Sequence, residues 1–156
     1  MSDNQQLPFG FEKPEDSPGF LLWQTTITWQ RLIKKALDPY GISHAQFVVM
    51  AITLWLEGHG YASTQIQLAH WSKLDKMTVS KALKKLAADG LVTRAEHTRD
   101  SRAKSVALTP AGRELICKLV PLVEDIDAQF FGVVSVDDQR ALIQLLHRLV
   151  GELPMV

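Results

Sequence analysis

The chain carries at residues 97–112 the segment HTRDSRAKSVALTPAG, in which two arginines and a lysine surround a single aspartate. The alternating run that follows, Val106 to Leu108, predicts a strand, and Thr109-Pro110 predicts the start of a helix. Together with LVTRAEH, residues 91–97, the segment predicts a β-hairpin with a basic tip. So much positive charge on a turn between two strands suggests an anionic partner.

A basic amphipathic helix is predicted directly upstream of this hairpin. Asp75 is a suitable N-cap for the stretch KMTVSKALKKLAADG, and Gly90 ends it. The apolar residues of this helix recur at i, i+4 and i+7: Val79, Leu83 and Leu86. Its opposite side carries Lys76, Thr78, Lys81, Lys84 and Lys85. A short helix before it is predicted by the capping-box spacing of Thr64 and Gln67.

Apolar helices are predicted on both flanks of this basic unit. Pro18 fits the first turn of a helix that ends near residues 38–41, and Ser43 with Gln46 forms a capping box for the next helix. Thr109 and Ser135 begin the last two helices. The apolar spacing predicts that the first helix is buried on more than one side. Since the flanking helices are more apolar than a monomer of this size needs, we expect a homodimer.

The predicted fold is therefore mainly α with a small β-wing, a winged helix-turn-helix with N- and C-terminal dimerisation helices. Four segments are expected. A mobile N-terminal arm covers residues 1–17, and an N-terminal helix covers 18–42 and joins the dimerisation region. A DNA-binding lobe covers 43–109, and C-terminal dimerisation helices cover 110–156.

Charge is unevenly distributed along a chain whose formal net charge is zero. Nine basic and four acidic residues lie between Lys73 and Lys104, whereas the segments on either side carry an acidic excess. This asymmetry predicts one basic working face. The single cysteine, the absence of a signal peptide and the absence of an apolar run of about 18 residues favour a cytoplasmic protein without a membrane span.

The basic helix and the hairpin have the residue types that nucleic-acid recognition requires. The hydroxyls of Thr78 and Ser80 suit phosphates or base edges, and Lys81 is long enough to reach guanine acceptors. Phosphate is the expected partner of Lys84. At the hairpin tip, an arginine suits the negative potential of a narrow minor groove. The candidate DNA-binding residues are Lys76, Thr78, Ser80, Lys81, Lys84, Arg99, Asp100 and Arg102.

Two motifs in the right order resemble the multiple-antibiotic-resistance regulator (MarR) family of bacterial transcription factors. Asp100-Ser101-Arg102, followed by residues 106–112, VALTPAG, is similar to the family's wing motif Asp-x-Arg and Leu-Thr-x-x-Gly. The stretch LAADGLV, residues 86–92, is similar to its recognition-helix exit. The resemblance implies a homodimer on a pseudo-palindromic operator, with Arg102 in the minor groove and Asp100 positioning it.

The same resemblance implies release from DNA by phenolic or lipophilic small molecules. Such an effector needs an apolar cleft with few polar groups. The expected lining residues are Trp23, Trp29, Tyr40, His44 and Phe47, and Trp55 is also available. We interpret Cys117 as a packed apolar residue, because it lies next to Ile116 and Val120 on the predicted long helix. No cofactor, no metal site and no catalytic site are expected.

The predicted function is a homodimeric, sequence-specific DNA-binding transcriptional regulator. We expect it to repress palindromic operators and to be relieved by a small ligand. Two alternatives stay open: a winged-helix protein-interaction module without sequence-specific DNA binding, and a small helical enzyme. A salt titration separates them. If the protein binds DNA, the logarithm of the affinity falls linearly with the logarithm of the salt concentration, with a slope of about −0.9 for each phosphate contact.

Overall fold

A computed structural model gives the structure of residues 6–97 and 100–151, and for residues 96, 97 and 100–103 it gives the backbone alone. The described elements follow the order α1 (Pro18–Leu37), α2 (His44–Gly58), α3 (Gln65–Ser72), α4 (Lys76–Ala88), β1 (Val92–His97), β2 (Asp100–Leu108), α5 (Pro110–Phe131) and α6 (Val136–Val150). The predicted fold class is confirmed: a mostly helical chain carries a small two-stranded antiparallel sheet.

Side-chain caps start the helices where the sequence predicts. Ser43 and Gln46 form both hydrogen bonds of a capping box at α2, and Thr64 and Gln67 form both at α3. Single caps begin the other helices: Ser17 at α1, Asp75 at α4, Thr109 at α5 and Ser135 at α6. Each cap satisfies a backbone N–H that has no partner inside the helix, which explains why these boundaries can be read from the sequence.

The core of the lobe lies between α2, α4, β1 and the first half of α5. Buried side chains come from each of these elements: Met50, Leu56, Leu83, Leu86, Val92, Ile116 and Leu119. Within α4 the buried residues are Val79, Ala82, Leu83 and Leu86, so the predicted apolar side of this helix is confirmed. Because α4 is packed on one side, its polar side is held in a fixed direction.

The wing is an antiparallel hairpin, and a single β-bridge joins the outer side of β2 to the residue before α3. β1 and β2 pair from Val92 opposite Leu108 to Glu96 opposite Lys104, and the register then shifts. On the other edge of β2, the backbone N–H of Val106 donates to the carbonyl of Ser63 over 2.8 Å, and Thr64 bridges to Ser105. These bonds attach the wing to the start of α3.

The end of the wing is bound to the exit of α4 by a compact junction. The Thr109 hydroxyl donates to the carbonyl of Gly90 over 2.6 Å, and the Thr109 N–H donates to the carbonyl of Leu91 over 3.1 Å. The Thr109 hydroxyl also accepts from the N–H of Gly112 at 3.0 Å. A Cβ on Gly112 would collide with the carbonyl oxygen of Leu91. The glycine is therefore required by the close approach of α5 to this turn.

Glu57, near the end of α2, makes a second connection to the same region. Its Oε1 accepts from the backbone N–H of Leu108 at 3.0 Å, and its Oε2 accepts from Nη2 of Arg113 at 2.6 Å. One carboxylate therefore holds the last residue of β2 and the first turn of α5 at once.

Both ends of the chain present apolar side chains to solvent. In α1 the buried residues are Ile33 and Leu37, whereas Phe20, Leu22 and Trp23 are exposed. The prediction that α1 is buried on more than one side is therefore wrong within a single protomer, because the other described elements cover only its C-terminal part. No described residue of α6 is buried, and Leu149 is 77% exposed.

Cys117 is exposed on α5, so its interpretation as a packed residue is wrong. Its neighbour Ile116 occupies the buried side of the helix instead, since adjacent residues of a helix point in different directions. Among the described residues, no helix is both long enough and apolar enough to span a membrane.

The junction predicts different outcomes for two glycine substitutions. Gly112→Ala forces α5 away from the Leu91 carbonyl and is expected to lower the free energy of unfolding by about 1–3 kcal/mol, as overpacking does. Gly58→Ala is the control, because a Cβ there meets nothing within contact distance and alanine favours a helix by roughly 0.5–1 kcal/mol. Urea denaturation measures both variants. Equal stability of the two proteins would contradict the steric account of Gly112.

Candidate nucleic-acid interface

The polar side of α4 faces solvent. Lys76, Lys81 and Lys84 are exposed, and the intervening Thr78 and Ser80 are half-buried at its margins. Since Val79, Leu83 and Leu86 anchor the opposite side, the lysines project away from the lobe. The structure thus brings together on one helix five of the predicted residues, and it does so without removing them from water.

Asp75 fixes the first turn of α4. Its Oδ1 accepts from the backbone N–H of Thr78 at 2.7 Å, and its Oδ2 accepts from the Thr78 hydroxyl at 2.8 Å. These hydrogen bonds, the backbone one first, lower the pKa of Asp75 from its ordinary value. Because the Thr78 hydroxyl donates its proton to Asp75, this hydroxyl offers an outside partner its lone pairs only.

An ion pair near the end of α4 distinguishes one lysine from the others. Nζ of Lys85 lies 3.0 Å from Oδ2 of Asp89, and both side chains are exposed. An exposed pair of this kind contributes about 0–1 kcal/mol, so it restrains Lys85 weakly. The Asp89 carboxylate nevertheless lowers the net positive charge at this end of the helix.

The basic tip of the hairpin lies largely beyond what the structure describes. Arg99 lies outside the described residues, and Asp100 and Arg102 are described by their backbone alone. Asp100 begins β2 and pairs with His97, so Arg102 belongs to β2 close to the tip. The proposed contact between the side chains of Asp100 and Arg102 stays a prediction.

Two of the predicted ligand residues meet where α1, α2 and α5 converge. The rings of Trp29 and His44 lie edge to face with centroids 5.1 Å apart. Nε1 of Trp29 donates to Oδ1 of Asp127 over 2.7 Å. Partial burial lowers the pKa of His44, and the Asp127 carboxylate opposes that shift. The cluster combines two aromatic rings and a carboxylate at a half-buried site.

The other predicted ligand residues are dispersed. Phe47 is buried in the core one turn after His44, whereas Trp23 is 65% exposed near the start of α1. Tyr40 is exposed beneath the ammonium of Lys118, which lies 5.8 Å from the ring centroid. Trp55 belongs to a separate cluster, where it stacks on His59 with centroids 4.1 Å apart. The described side chains therefore do not form one cleft from all six residues.

Asp127 is the member of this cluster that the sequence analysis missed, since the stretch Glu124 to Asp127 is typical of a solvated helix side. Asp127 follows Leu119 and Val123 at steps of four, however, and both of these residues are buried. An acidic residue in register with the buried side of a helix was the available signal.

Comparison with known proteins assigns the family. The model of the ArnR1-like winged-helix domain matches residues 38–126, more than half of the chain. The chain is also 39% identical over 122 residues to the uncharacterised HTH-type transcriptional regulator YdcH of Bacillus subtilis, a match that covers 78% of this chain and 83% of YdcH. This chain belongs to the ArnR1-like family of winged-helix domains. Its similarity to HTH-type transcriptional regulators and its fold support the resemblance to the MarR family.

Solved structures of similar fold cover most of this chain. Bordetella bronchiseptica BpsR, described with a mechanism for regulation of its DNA binding by 6-hydroxynicotinic acid, superposes with a TM-score of 0.80 and 25% identity. That match covers 94% of this chain and 99% of BpsR. The C80S mutant of Escherichia coli MarR in complex with operator DNA gives a TM-score of 0.74 at 24% identity, covering 88% and 96% of the two chains. The second match supports the fold alone.

The His44 environment predicts a pH-dependent stability. Because burial lowers the folded-state pKa below the ordinary value near 6.5, the unfolded chain binds more protons as pH falls below that value. The free energy of unfolding should therefore drop between about pH 7.5 and about pH 5.5, and His44→Gln should reduce this drop. Urea midpoints across this range measure it. His70→Gln, at an exposed position of α3, is the control. Identical pH profiles for wild type and His44→Gln would refute the assignment.

Proposed function

We propose that this MarR-family protein is a homodimeric repressor that binds palindromic operators and is released by a small phenolic or lipophilic ligand. The observation that carries the proposal is the exposed polar side of α4, which lies opposite the buried Val79, Leu83 and Leu86 and next to a basic hairpin. The DNA-binding lobe of this proposal covers residues 43–109. In this proposal the protein regulates transcription in the cytoplasm.

In this proposal, α4 enters the major groove with its N-terminal half. Lys81 lies nearly two turns beyond the Asp75 cap, in the half of the helix that reaches base edges, and it donates to guanine acceptors. Lys76 and Lys84 neutralise phosphates on either side. The shorter side chains of Ser80 and Thr78 reach base edges, where the Thr78 hydroxyl accepts hydrogen bonds.

The wing supplies the second contact. Arg102 enters the adjacent minor groove, Asp100 holds its guanidinium by charge-assisted hydrogen bonds, and Arg99 lies on the neighbouring phosphates. The support for this role is the basic tip of the hairpin in the sequence and the attachment of β2 to Ser63 by the Val106 hydrogen bond. That attachment limits how far the wing can move relative to α4.

The chain ends supply the dimer contact. The N-terminal helical segment, residues 18–42, and the C-terminal helices, residues 110–156, supply this contact, and their exposed apolar side chains include Phe20, Trp23 and Leu149. An apolar surface of this extent on a monomer is typical of a protein–protein interface. A two-fold dimer would cover it and would give the protein two α4 helices, as a palindromic operator requires.

The effector is proposed to bind beside Trp29 and His44, where Asp127 supplies a hydrogen-bond acceptor. A phenolic or lipophilic aromatic ligand suits two aromatic edges and a half-buried imidazole. BpsR, whose DNA binding is regulated by 6-hydroxynicotinic acid, supports an effector of this class. Since α1, α2 and α5 converge at this cluster, an occupant would alter how the lobe sits on the long helix.

Selection of bound sequences from random duplex DNA tests the function. The expected result is a two-fold symmetric consensus whose log affinity falls linearly with log salt, by about 0.9 per phosphate contact. Lys81→Ala should cost about 1–3 kcal/mol at one position of each half-site. Lys85→Ala is the matched control on the same helix. Because Lys85 already pairs with Asp89, this substitution should weaken DNA binding less than Lys81→Ala does. Binding that selects no sequence would favour a protein-interaction module instead.

The dimer is tested by placing charge on the apolar chain end. Leu149→Asp puts a carboxylate on the exposed apolar side of α6 and is expected to convert a species of twice the chain mass into a monomer. Light scattering measures the mass. Met77→Asp, an equally drastic change at an exposed site of α4, should leave the dimer intact. A wild-type protein that is monomeric at every concentration would exclude this arrangement.

A further inference from the structure

Met77 is an apolar side chain in the middle of the polar side of α4. It is 84% exposed, one of the largest values among the described apolar residues. It does not fill the core, because Val79, Ala82, Leu83 and Leu86 already occupy the buried side of this helix. Core packing therefore does not account for the presence of this side chain at the start of a basic helix.

The position of Met77 relative to the lysines is set by the helix. Lys81 and Lys84 follow it at i+4 and i+7, so the three side chains form one row along the outward side. The row lies opposite Val79 and Leu83, the residues that anchor the helix to the lobe. Any ligand that receives Lys81 at its centre therefore receives Met77 one turn nearer to the N-terminus of α4.

The backbone of Met77 is fixed before any ligand binds. Asp75 accepts hydrogen bonds from both the N–H and the hydroxyl of Thr78, and Met77 lies between these two residues. The unbranched methionine side chain remains free to adapt its three rotatable bonds to an apolar contact. A fixed Cα and an adaptable side chain suit a small apolar contact at a defined position.

The exposed apolar residues at the chain ends do not account for Met77. Trp23 lies on α1 and Leu149 on α6, whereas Met77 lies on the helix that carries Lys76, Lys81 and Lys84. A dimer contact through the chain ends leaves it uncovered, and a purely apolar partner would have to bury the lysines around it without counter-charges. The occupant must therefore present phosphate-like charge and an apolar group together.

Duplex DNA has one such group at the level of the bases. The C5 methyl of thymine projects into the major groove, where it is the apolar feature that distinguishes this base from the other three. We propose that Met77 reads a thymine methyl in each half-site of the operator, one helical turn along α4 from the base that Lys81 contacts. The inference rests on the proposed function and adds an apolar specificity position to it.

Replacing thymine by deoxyuridine removes this methyl and leaves every Watson–Crick hydrogen bond intact. The probe is a duplex with the consensus selected by wild type, in which each thymine is replaced in turn. At one thymine per half-site, the replacement should weaken wild-type binding about fourfold, which corresponds to about 0.8 kcal/mol for one buried methyl group. Because the dimer carries Met77 twice, Met77→Ala should bind the thymine duplex about sixteenfold more weakly, about fourfold for each half-site, and lose this discrimination.

Two further variants control for indirect effects. Met77→Leu keeps an apolar side chain of similar volume and should keep the preference for thymine. Lys81→Ala should weaken binding while the penalty for deoxyuridine persists at the same position. Circular dichroism should give the same helix content for all variants, since Met77 and Lys81 are exposed.

The outcomes separate this inference from the function on which it rests. If wild type binds its consensus and tolerates deoxyuridine at every position, or if Met77→Ala retains the same penalty as wild type, the reading of thymine by Met77 is refuted while DNA binding stands. If wild type binds no duplex with measurable affinity, the proposed function fails and the inference fails with it. A preference for thymine in wild type and Met77→Leu, lost in Met77→Ala, supports it.

Discussion

The close contact between Gly112 and the carbonyl of Leu91 is the constraint on which the arrangement of the lobe depends. At this point the exit of α4, the end of the wing and the start of α5 come within one hydrogen-bonded junction built on Thr109. A side chain at position 112 would separate these elements. Because α4 is anchored here and by its buried leucines, its polar side keeps one direction relative to the wing, as recognition of two adjacent grooves requires.

The apolar residues of the chain serve two different purposes. In the lobe they are buried and set the orientation of α4, with Leu83 and Leu86 fully enclosed. At the chain ends, and above all on α6, they are exposed in the protomer. In the proposed dimer a second copy of the chain covers this set, so we expect the stability of the protein to depend on its concentration.

Local chemistry explains how much of the fold and site could be predicted from the sequence. Helix starts were predictable because Ser43, Thr64, Asp75 and Thr109 cap helices through bonds to residues three positions away. Contacts between distant elements were not predictable, since no local pattern encodes them. The hydrogen bond of Trp29 to Asp127 spans 98 positions, and the exposure of Cys117 depends on which side of α5 meets the lobe.

The same difference applies to the residues that we predict to bind DNA. The spacing of Lys76, Lys81 and Lys84 against the leucines of α4 was sufficient to assign them to the polar side. The pairing of Thr78 with Asp75 and of Lys85 with Asp89 required coordinates, because side chains three or four apart have several possible rotamers. The exposure of Met77 also required them, since a methionine in a helix is as often packed as displayed.

The carboxylate of Glu57 gives the lobe a mechanical property. It accepts from the last amide of β2 with one oxygen and from the guanidinium of Arg113 with the other. A tilt of α5 against α2 must either break one of these bonds or carry the wing with it. The end of α2 therefore couples the position of the long helix to the position of β2.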